Sequence, residues 1–414
     1  MRALRERVFQ HLQRRLHGVP LRIVLWDGER FEFSDMPLIT VTLHSRRLGR
    51  LLLTGNMAGL GAAYVSGELG VEGEAEDILE VGIALAERVG HAPVLRHIGP
   101  LIGKLRRHSK KRDAADVRYH YDVSNEFYRL WLDRHMVYSC AYFKTGAEDL
   151  DTAQEQKLDH LCRKLRLQPG ERLLDIGCGW GGLACWAAAR YGVTAVGVTL
   201  SELQVEEARR RVADAALADR VEIRCQDYRD VSDTGGFDKI VSVGMYEHVG
   251  IANLPLYFQT IARLLKPGGM ALNHGITAGD RDGAAQGPPG GEFIDRFVFP
   301  GGALPHLSKV IYEIAGAGLE VLDVEDLRPH YPPTLWHWVK RLEGQRDAAV
   351  AAAGPERYRI WRLYMPGMAY AFERGFLSVA QVLAVKPLKD GPAGRPWTRD
   401  YQYAPPAPSR LPAR

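Results

Sequence analysis

The run Leu173-Leu174-Asp175-Ile176-Gly177-Cys178-Gly179-Trp180-Gly181-Gly182 constrains this chain most, because an apolar strand passes directly into a glycine-rich turn and then a helical segment. Glycine tolerates positive φ and lets a ligand approach the backbone, and the first turn of the helix presents N–H groups without intrahelical partners. Such a junction seats a nucleotide-like cofactor at the carboxyl end of a parallel strand. The glycine spacing alone leaves the ligand open. Gly177-x-Gly179-x-x-Gly182 fits the dinucleotide fingerprint, which expects a pyrophosphate on the helix N-terminus and an acidic residue at the tip of the second strand.

That second strand, Val193 to Val198, ends in Thr199-Leu200-Ser201 and carries no carboxylate, while Asp175 lies inside the end of the first strand, where it suits a cationic amino-acid group. Asp175-x-Gly177-x-Gly179-x-Gly181 resembles the first motif of the class I S-adenosylmethionine methyltransferases. After a helix carrying Leu158, Leu161, Cys162 and Leu165, strands at Arg172–Ile176, Thr194–Val198, Val221–Cys225, Lys239–Val243 and Met270–His274 alternate with helical patterns. That alternation predicts an α/β fold, a doubly wound, mostly parallel, Rossmann-like sheet. Lys266-Pro267-Gly268-Gly269 marks the turn into the fifth strand, and the chemistry is expected near Gly177, Thr199, Asp227, Glu247 and His274.

The segment before this sheet reads as a smaller α+β domain over residues 1–115. Val8, Leu12 and Leu16 share a helical face; Leu21 to Trp26, Asp27-Gly28 and Phe31 to Phe33 read as a hairpin; Leu38 to Leu43 and Leu51 to Thr54 read as further strands. Leu101 to Arg112 is a basic linker, either a solvated connector or a contact with an anionic membrane, the latter worth about 1 kcal/mol per basic residue. Residues 116–390 are expected to form the catalytic domain, with a Gly/Pro-rich loop at Gly283 to Gly291 and aromatic inserts at Phe293 to Leu304 and Leu335 to Phe376 shaping a substrate pocket; the tail, 391–414, reads as disordered. A net charge of +4 is too small to argue for nucleic acid, and five cysteines without regular spacing support neither a disulfide framework nor a metal site. With no apolar run near the about 20 residues of a spanning helix and no signal-peptide core, a cytoplasmic protein is expected.

Further motifs resemble the cyclopropane fatty acid synthase family. Tyr119-His120-Tyr121-Asp122-Val123-Ser124-Asn125, Tyr138-Ser139-Cys140-Ala141-Tyr142-Phe143, Glu247-His248-Val249-Gly250, His274-Gly275-Ile276-Thr277, Phe297-Val298-Phe299-Pro300-Gly301-Gly302 and Arg328-Pro329-His330-Tyr331 stand in that family's order, over roughly residues 115–390. The resemblance implies S-adenosylmethionine as methyl donor, seated over Gly177 and Gly179. Thr199, Leu200 and Gln204 would face its ribose and adenine, Asp227 would accept from the adenine amino group, and Tyr138 and Ser139 would close over the methionine end near Asp175.

The implied acceptor is a cis double bond in a phospholipid acyl chain, and the implied base is a bound bicarbonate held by residues matching Cys140, Glu247, His274, Ile276 and Tyr331. Tyr331 and a protonated His274 can donate to the anion, backbone N–H groups near Cys140 and Ile276 can do the same, and Glu247 can accept the bicarbonate's own proton. No neighbour in sequence activates Cys140 as a nucleophile; His248 reads either as a direct participant or as a group that orients Glu247 or packs, and His120 as structural, with its motif neighbours as candidates to line the pocket. Aromatic residues Tyr142, Phe297, Phe299, Trp336, Trp338 and Trp361 are candidates for an acyl channel whose π faces steady a cation. The expected partner is an unsaturated phospholipid at the inner face of the cell membrane, reached peripherally through residues 1–16, the linker and the N-terminal domain; a homodimer is left open. Two rivals remain: a related enzyme giving a methylene or methyl branch, and a lipid-binding homologue without activity.

Overall fold

The structure is a computed structural model and describes residues 10, 12–89, 123–233, 235–281, 291–299, 302–389 and 396–403. Val8 of the expected N-terminal helical face, the basic linker 101–112, residues 119–122 of the upstream motif and most of the loop 283–291 lie outside them, while Leu12 and Leu16 of that face are buried.

Two sheets organise the described chain. In the first, β1 (Leu21–Val24) pairs antiparallel with β2 (Arg30–Glu32) and parallel with β3 (Ile39–Leu43), and β4 (Leu69–Glu72) lies antiparallel beside β3. Leu51 to Thr54, expected as a strand, is instead the end of helix Arg46–Leu53 and its C-cap. Leu48 and Leu52 are buried while Arg46, Arg47 and Arg50 face out, so the helical period of the wider segment overrides the short leucine run.

The second sheet has seven strands in the order β10-β11-β9-β8-β5-β6-β7. β5 (Arg172–Ile176), β6 (Thr194–Thr199), β7 (Val221–Cys225), β8 (Phe237–Val243) and β9 (Leu265–Ala278) run parallel, as the alternation predicts. Two strands were not anticipated: β10 (Glu320–Asp326), and β11 (Leu377–Val385), which is antiparallel to both neighbours. β11 is buried along nearly its whole length, so its sequence lacks the alternation that marks a half-exposed strand. The result is a class I methyltransferase sheet, mostly parallel and flanked by helices.

One mismatch in strand length positions the site. The β8–β9 ladder ends at Val243 and His274, but β9 continues to Ala278. The backbone of Gly275 to Ala278 must therefore find partners on that side in whatever follows β8.

Helices Leu150–Lys164, Gly182–Tyr191 and Glu202–Asp214 share one apolar core with the sheet, and Leu254–Leu264 and Leu307–Gly316 share another. A third, aromatic core gathers Phe127, Tyr128, Trp338, Trp361 and Phe372 from helices Asn125–Arg129, Tyr331–Gly344 and Arg346–Glu373, with Trp131 from the turn after the first; the last helix breaks at Gly354, ahead of Pro355. Val65 and Ala75 of the N-terminal region belong to this core. Arg359 donates to the Val65 carbonyl at 3.1 Å, and Arg362 donates to Glu343 at 2.7 Å and to the Tyr64 hydroxyl at 3.3 Å.

The expected disordered tail is corrected for residues 396–403. Helix Asp400–Tyr403 buries Gln402, whose Nε2 donates to Asp323 Oδ2 at 3.2 Å, and Arg399 pairs with Asp323 at 2.8 Å.

Candidate active site

A cavity at the carboxyl ends of β5, β6 and β8 is lined by Tyr138, Ser139, Asp175, Gly177, Gly179, Thr199, Leu200 and Gln204, together with Lys157, Gln226, Tyr228, Met245 and His248. Gly177 has φ +78°, and a Cβ there would lie 2.8 Å from Met245 Cγ, so the turn after β5 can pass under the turn after β8 only as glycine. The N–H groups of Gly177 and Cys178 both donate to the Val198 carbonyl, at 2.9 and 3.1 Å, which ties the turn to β6. The hydroxyl of Thr199 donates to Gln204 Oε1 at 2.7 Å. That bond commits the amide oxygen and leaves the NH2 group as donor, with Nε2 4.0 Å from where a Gly179 Cβ would stand. Helix capping falls to Ser201, whose hydroxyl accepts from the Gln204 N–H at 3.2 Å.

Asp175 is 2% exposed, its Oδ2 has no hydrogen-bond partner, and burial lifts its carboxyl to about 7, opposed by the charge of Lys157. An orphaned carboxylate oxygen in a cavity wall fits a ligand carrying a cationic or hydrogen-bond donor group. Asp227 does not line the cavity. Its Oδ1 accepts from Arg229 N–H and Nε at 2.9 and 2.8 Å and its Oδ2 from Nη2 at 2.6 Å, so the carboxylate that the resemblance assigns to adenine faces an arginine, with Gln226 and Tyr228 on the wall at either side.

The segment from Val137 to Phe143 lines the cavity through Val137, Tyr138 and Ser139 and is held by hydrogen bonds along its length. Gln154 Nε2 donates to the carbonyls of Val137 and Ser139 at 3.3 and 2.9 Å, Lys157 Nζ donates to Ser139 Oγ at 2.8 Å, Ala141 N–H donates to Thr334 Oγ1 at 3.1 Å, and Phe143 N–H donates to His330 Nδ1 at 3.1 Å. The Tyr138 ring packs on Tyr128, Trp131 and Trp338, joining the cavity to the aromatic core. Tyr142 is stacked between His160 and His330, with centroids at 4.4 and 4.7 Å.

None of Cys140, Glu247, His274, Ile276 and Tyr331 lines that cavity. They occupy the structure around the β9 overrun and the aromatic core. The turn after β8 supplies side chains where a strand would have supplied backbone: Ile276 N–H donates to Glu247 Oε1 at 2.7 Å and the Tyr246 hydroxyl donates to the Ile276 carbonyl at 2.9 Å. A Cβ on Gly275 would stand 2.4 Å from the Tyr246 ring, so this packing requires glycine. Glu247 keeps Oε2 unpartnered, and burial raises its carboxyl to about 7.

His274 is 2% exposed, and burial pushes it well below the usual imidazole range, with Lys157 and Lys164 adding to the shift. A protonated His274 is therefore corrected to a neutral one. Gln381 Nε2, directly across the β9–β11 ladder, donates to Nδ1 at 3.2 Å, which leaves the ring proton on Nε2 as a donor. The N–H of Ile276, expected to face an anion, is taken by Glu247, and that of Ala141 beside Cys140 by Thr334. Burial raises the Cys140 thiol, and its Sγ donates to the Ala141 carbonyl at 3.3 Å, so it is no thiolate nucleophile. Cys140 lies in the aromatic core, with Ile276 and Tyr331 packed against it; Tyr331 meets Phe372 at 4.4 Å between centroids.

Of the aromatic residues expected along an acyl channel, Trp338 and Trp361 are fully buried core, and Phe299 stands between His248 and Tyr364 at 5.5 and 6.0 Å. Sequence reading passed over Lys157, Gln154 and Gln381. The first two carried a signal: Gln154, Lys157, Leu161 and Lys164 follow the helical period on the face that apolar residues mark as buried. Gln381 carried none, because β11 itself was unrecognised.

The profile of the family described as mycolic acid cyclopropane synthetase matches residues 108–382. Over 389 residues the chain is 48% identical to a Pseudomonas putida protein named "Probable fatty acid methyltransferase", spanning 93% of this chain and 96% of that one. Identity to the cyclopropane-fatty-acyl-phospholipid synthase of Escherichia coli strain K12 is 38% over 284 residues, 68% of this chain and 71% of the relative. Among solved structures, mycolic acid cyclopropane synthase CmaA1 complexed with SAH and CTAB superposes with a TM-score of 0.62 at 34% identity, over 68% of this chain and 100% of that one.

Proposed function

Because the chain belongs to the mycolic acid cyclopropane synthetase family of S-adenosylmethionine-dependent methyltransferases, we propose that it transfers a methylene group from S-adenosylmethionine to the cis double bond of an unsaturated phospholipid acyl chain, closing a cyclopropane ring. The single observation that carries the ring-forming reading is Glu247: a buried carboxyl fixed through Oε1 to β9, with Oε2 unpartnered, in the turn that also meets the end of the cofactor strands.

The orphaned Asp175 oxygen, the glycine at position 177 and the Gln204 amide fit S-adenosylmethionine, which Gly177, Gly179, Thr199, Leu200, Gln204, Ser139 and Tyr138 would hold. When bound, S-adenosylmethionine would supply an electrophilic methyl group, and a bicarbonate ion would supply the general base. Glu247, with its unpartnered oxygen as acceptor, and the neutral His274 and Tyr331, as donors, would hold that anion. Tyr246 and Gln381 act as positioning residues, the first by pinning the Ile276 carbonyl and the second by fixing the His274 tautomer. Phe297 and Phe299, partly buried against the aromatic core, would exclude water and offer π faces to positive charge developing on the acyl chain, worth about 2 kcal/mol or more when desolvated.

A second reading has support in the name of the Pseudomonas putida relative, which matches nearly the whole chain: methyl transfer followed by proton loss without ring closure, leaving a methylene or, after reduction by a separate hydride donor, a methyl branch. No helix among the described residues is long and apolar enough to cross a membrane, and we propose peripheral contact with an anionic surface through the N-terminal region. Deleting residues 1–115 is expected to abolish flotation with anionic liposomes; unchanged flotation contradicts that contact.

The proposed activity is tested by release of S-adenosylhomocysteine from the full chain with vesicles of unsaturated or fully saturated phospholipid. Release only with unsaturated vesicles, increased by bicarbonate, is expected; cofactor binding without release from either vesicle would support a lipid-binding homologue.

A further inference from the structure

Among the described residues, Lys157 is the one buried cation in the wall of the cofactor cavity, and nothing in the proposed reaction uses it. Its side chain is 1% exposed, it lines the cavity beside Ser139 and Asp175, and its Nζ donates to Ser139 Oγ at 2.8 Å. An ammonium group has three N–H donors. Burying one in a cavity wall is costly unless charge and hydrogen bonds compensate.

The compensation present in the protein is partial. Asp133 spends its carboxylate on the N–H groups of His135 and Val137, at 2.7 and 2.8 Å, and acts on Lys157 through charge. Asp175 acts on it likewise and keeps an unpartnered oxygen. The remaining titratable groups coupled to Lys157 are Cys140 and His274, a thiol and an imidazole both held neutral by burial. Burial accordingly lowers Lys157 to about 8 despite two nearby carboxyls.

We infer that Lys157 receives the α-carboxylate of S-adenosylmethionine while Asp175 receives its α-ammonium group, so that the two buried side chains form a receptor for a zwitterion. A carboxylate placed between Lys157 and Ser139 would satisfy an ammonium N–H and the hydroxyl proton that Ser139, already accepting from Lys157, can still donate. An uncharged or singly charged ligand would leave one of the two groups buried without its counterpart. The inference rests on the proposal that this cavity holds S-adenosylmethionine.

The test uses isothermal titration of the full chain with three ligands: S-adenosylhomocysteine, its decarboxylated amine, and 5′-methylthioadenosine, which lacks the amino-acid portion. A charge-assisted hydrogen bond contributes enough that the wild-type protein is expected to bind S-adenosylhomocysteine about 10- to 100-fold tighter than the amine. Lys157→Met is expected to bring the first two ligands to near-equal affinity while leaving methylthioadenosine unchanged, which also shows that the variant is folded. Lys157→Gln, which retains a hydrogen bond to Ser139 without the charge, is expected to give the same selective loss.

Equal wild-type affinity for S-adenosylhomocysteine and the amine overturns the inference without any variant. Equal loss for all three ligands in both variants overturns it as well, and assigns Lys157 a structural role. If the wild-type protein binds none of the three, the cofactor reading fails and this inference falls with it.

Discussion

Asp175 and Glu247 form a pair of opposites at the two halves of the site. Both are buried carboxyls raised to about 7 by burial, and both keep one oxygen without a partner. Asp175 has a cation beside it, Lys157, whose charge opposes the shift; what opposes it at Glu247 is hydrogen bonding to backbone, chiefly the Ile276 N–H. The first environment suits binding of a charged, complementary group, and the second suits a carboxyl whose protonation matters to a reaction. Two carboxyls with similar raised values can therefore carry different work, decided by what stands opposite the open oxygen.

The largest separation between them is expected in kinetics. Glu247→Gln keeps an acceptor for Ile276 and removes the ionisable group, so turnover should fall about 10²- to 10⁴-fold while the dissociation constant for S-adenosylhomocysteine stays nearly unchanged. Equal losses of both would mean that Glu247 belongs to the cofactor site. The next effect is thermodynamic. A folded-state value of about 7 against an unfolded value near 4.3 means that ionising Glu247 costs the folded state free energy; its contribution is full below the unfolded value and is lost as pH climbs through 7. Glu247→Gln should remove up to about 3 kcal/mol of that slope, so chemical denaturation at pH 5 and pH 8 should show the variant losing less stability than the wild type over that interval.

Asp175→Asn should act on binding instead, weakening S-adenosylhomocysteine about 10- to 100-fold with a smaller effect on turnover at saturating donor. A loss confined to turnover would reverse the assignments of the two carboxyls. Smallest is the effect of Gly275→Ala, which forces the Tyr246 ring off β9 and shifts the turn that carries Glu247; it should cost about 1–3 kcal/mol and lower the melting temperature, with turnover falling more than cofactor affinity.

The two halves also differ in how far they could be read from sequence. The cofactor half is built from contiguous runs: Asp175, Gly177 and Gly179 follow one strand and Thr199, Leu200 and Gln204 the next, so local pattern brings them to one wall. Asp227 shows where that reasoning stops, because strand-end position does not reveal that Arg229, two residues on, takes both its oxygens. The Glu247 half depends on a length mismatch between β8 and β9 and on β11, whose unbroken burial hides its period. Resemblance supplied Glu247, His274 and Tyr331 without geometry. It could not foresee that Gln381 sets the His274 tautomer or that burial keeps the ring neutral. Lys157 was legible in principle, as a charge on the buried face of an amphipathic helix.

Ring closure is what sets the proposed reaction apart from branching. The most direct measurement is NMR and mass analysis of the lipid formed from unsaturated phospholipid vesicles and S-adenosylmethionine carrying a trideuterated methyl group. Cyclopropane resonances with two deuterium atoms retained on the ring methylene are the predicted result. A product with vinylidene resonances, or a methyl-branched alkene retaining three deuterium atoms, would contradict it and make the chain a branching methyltransferase.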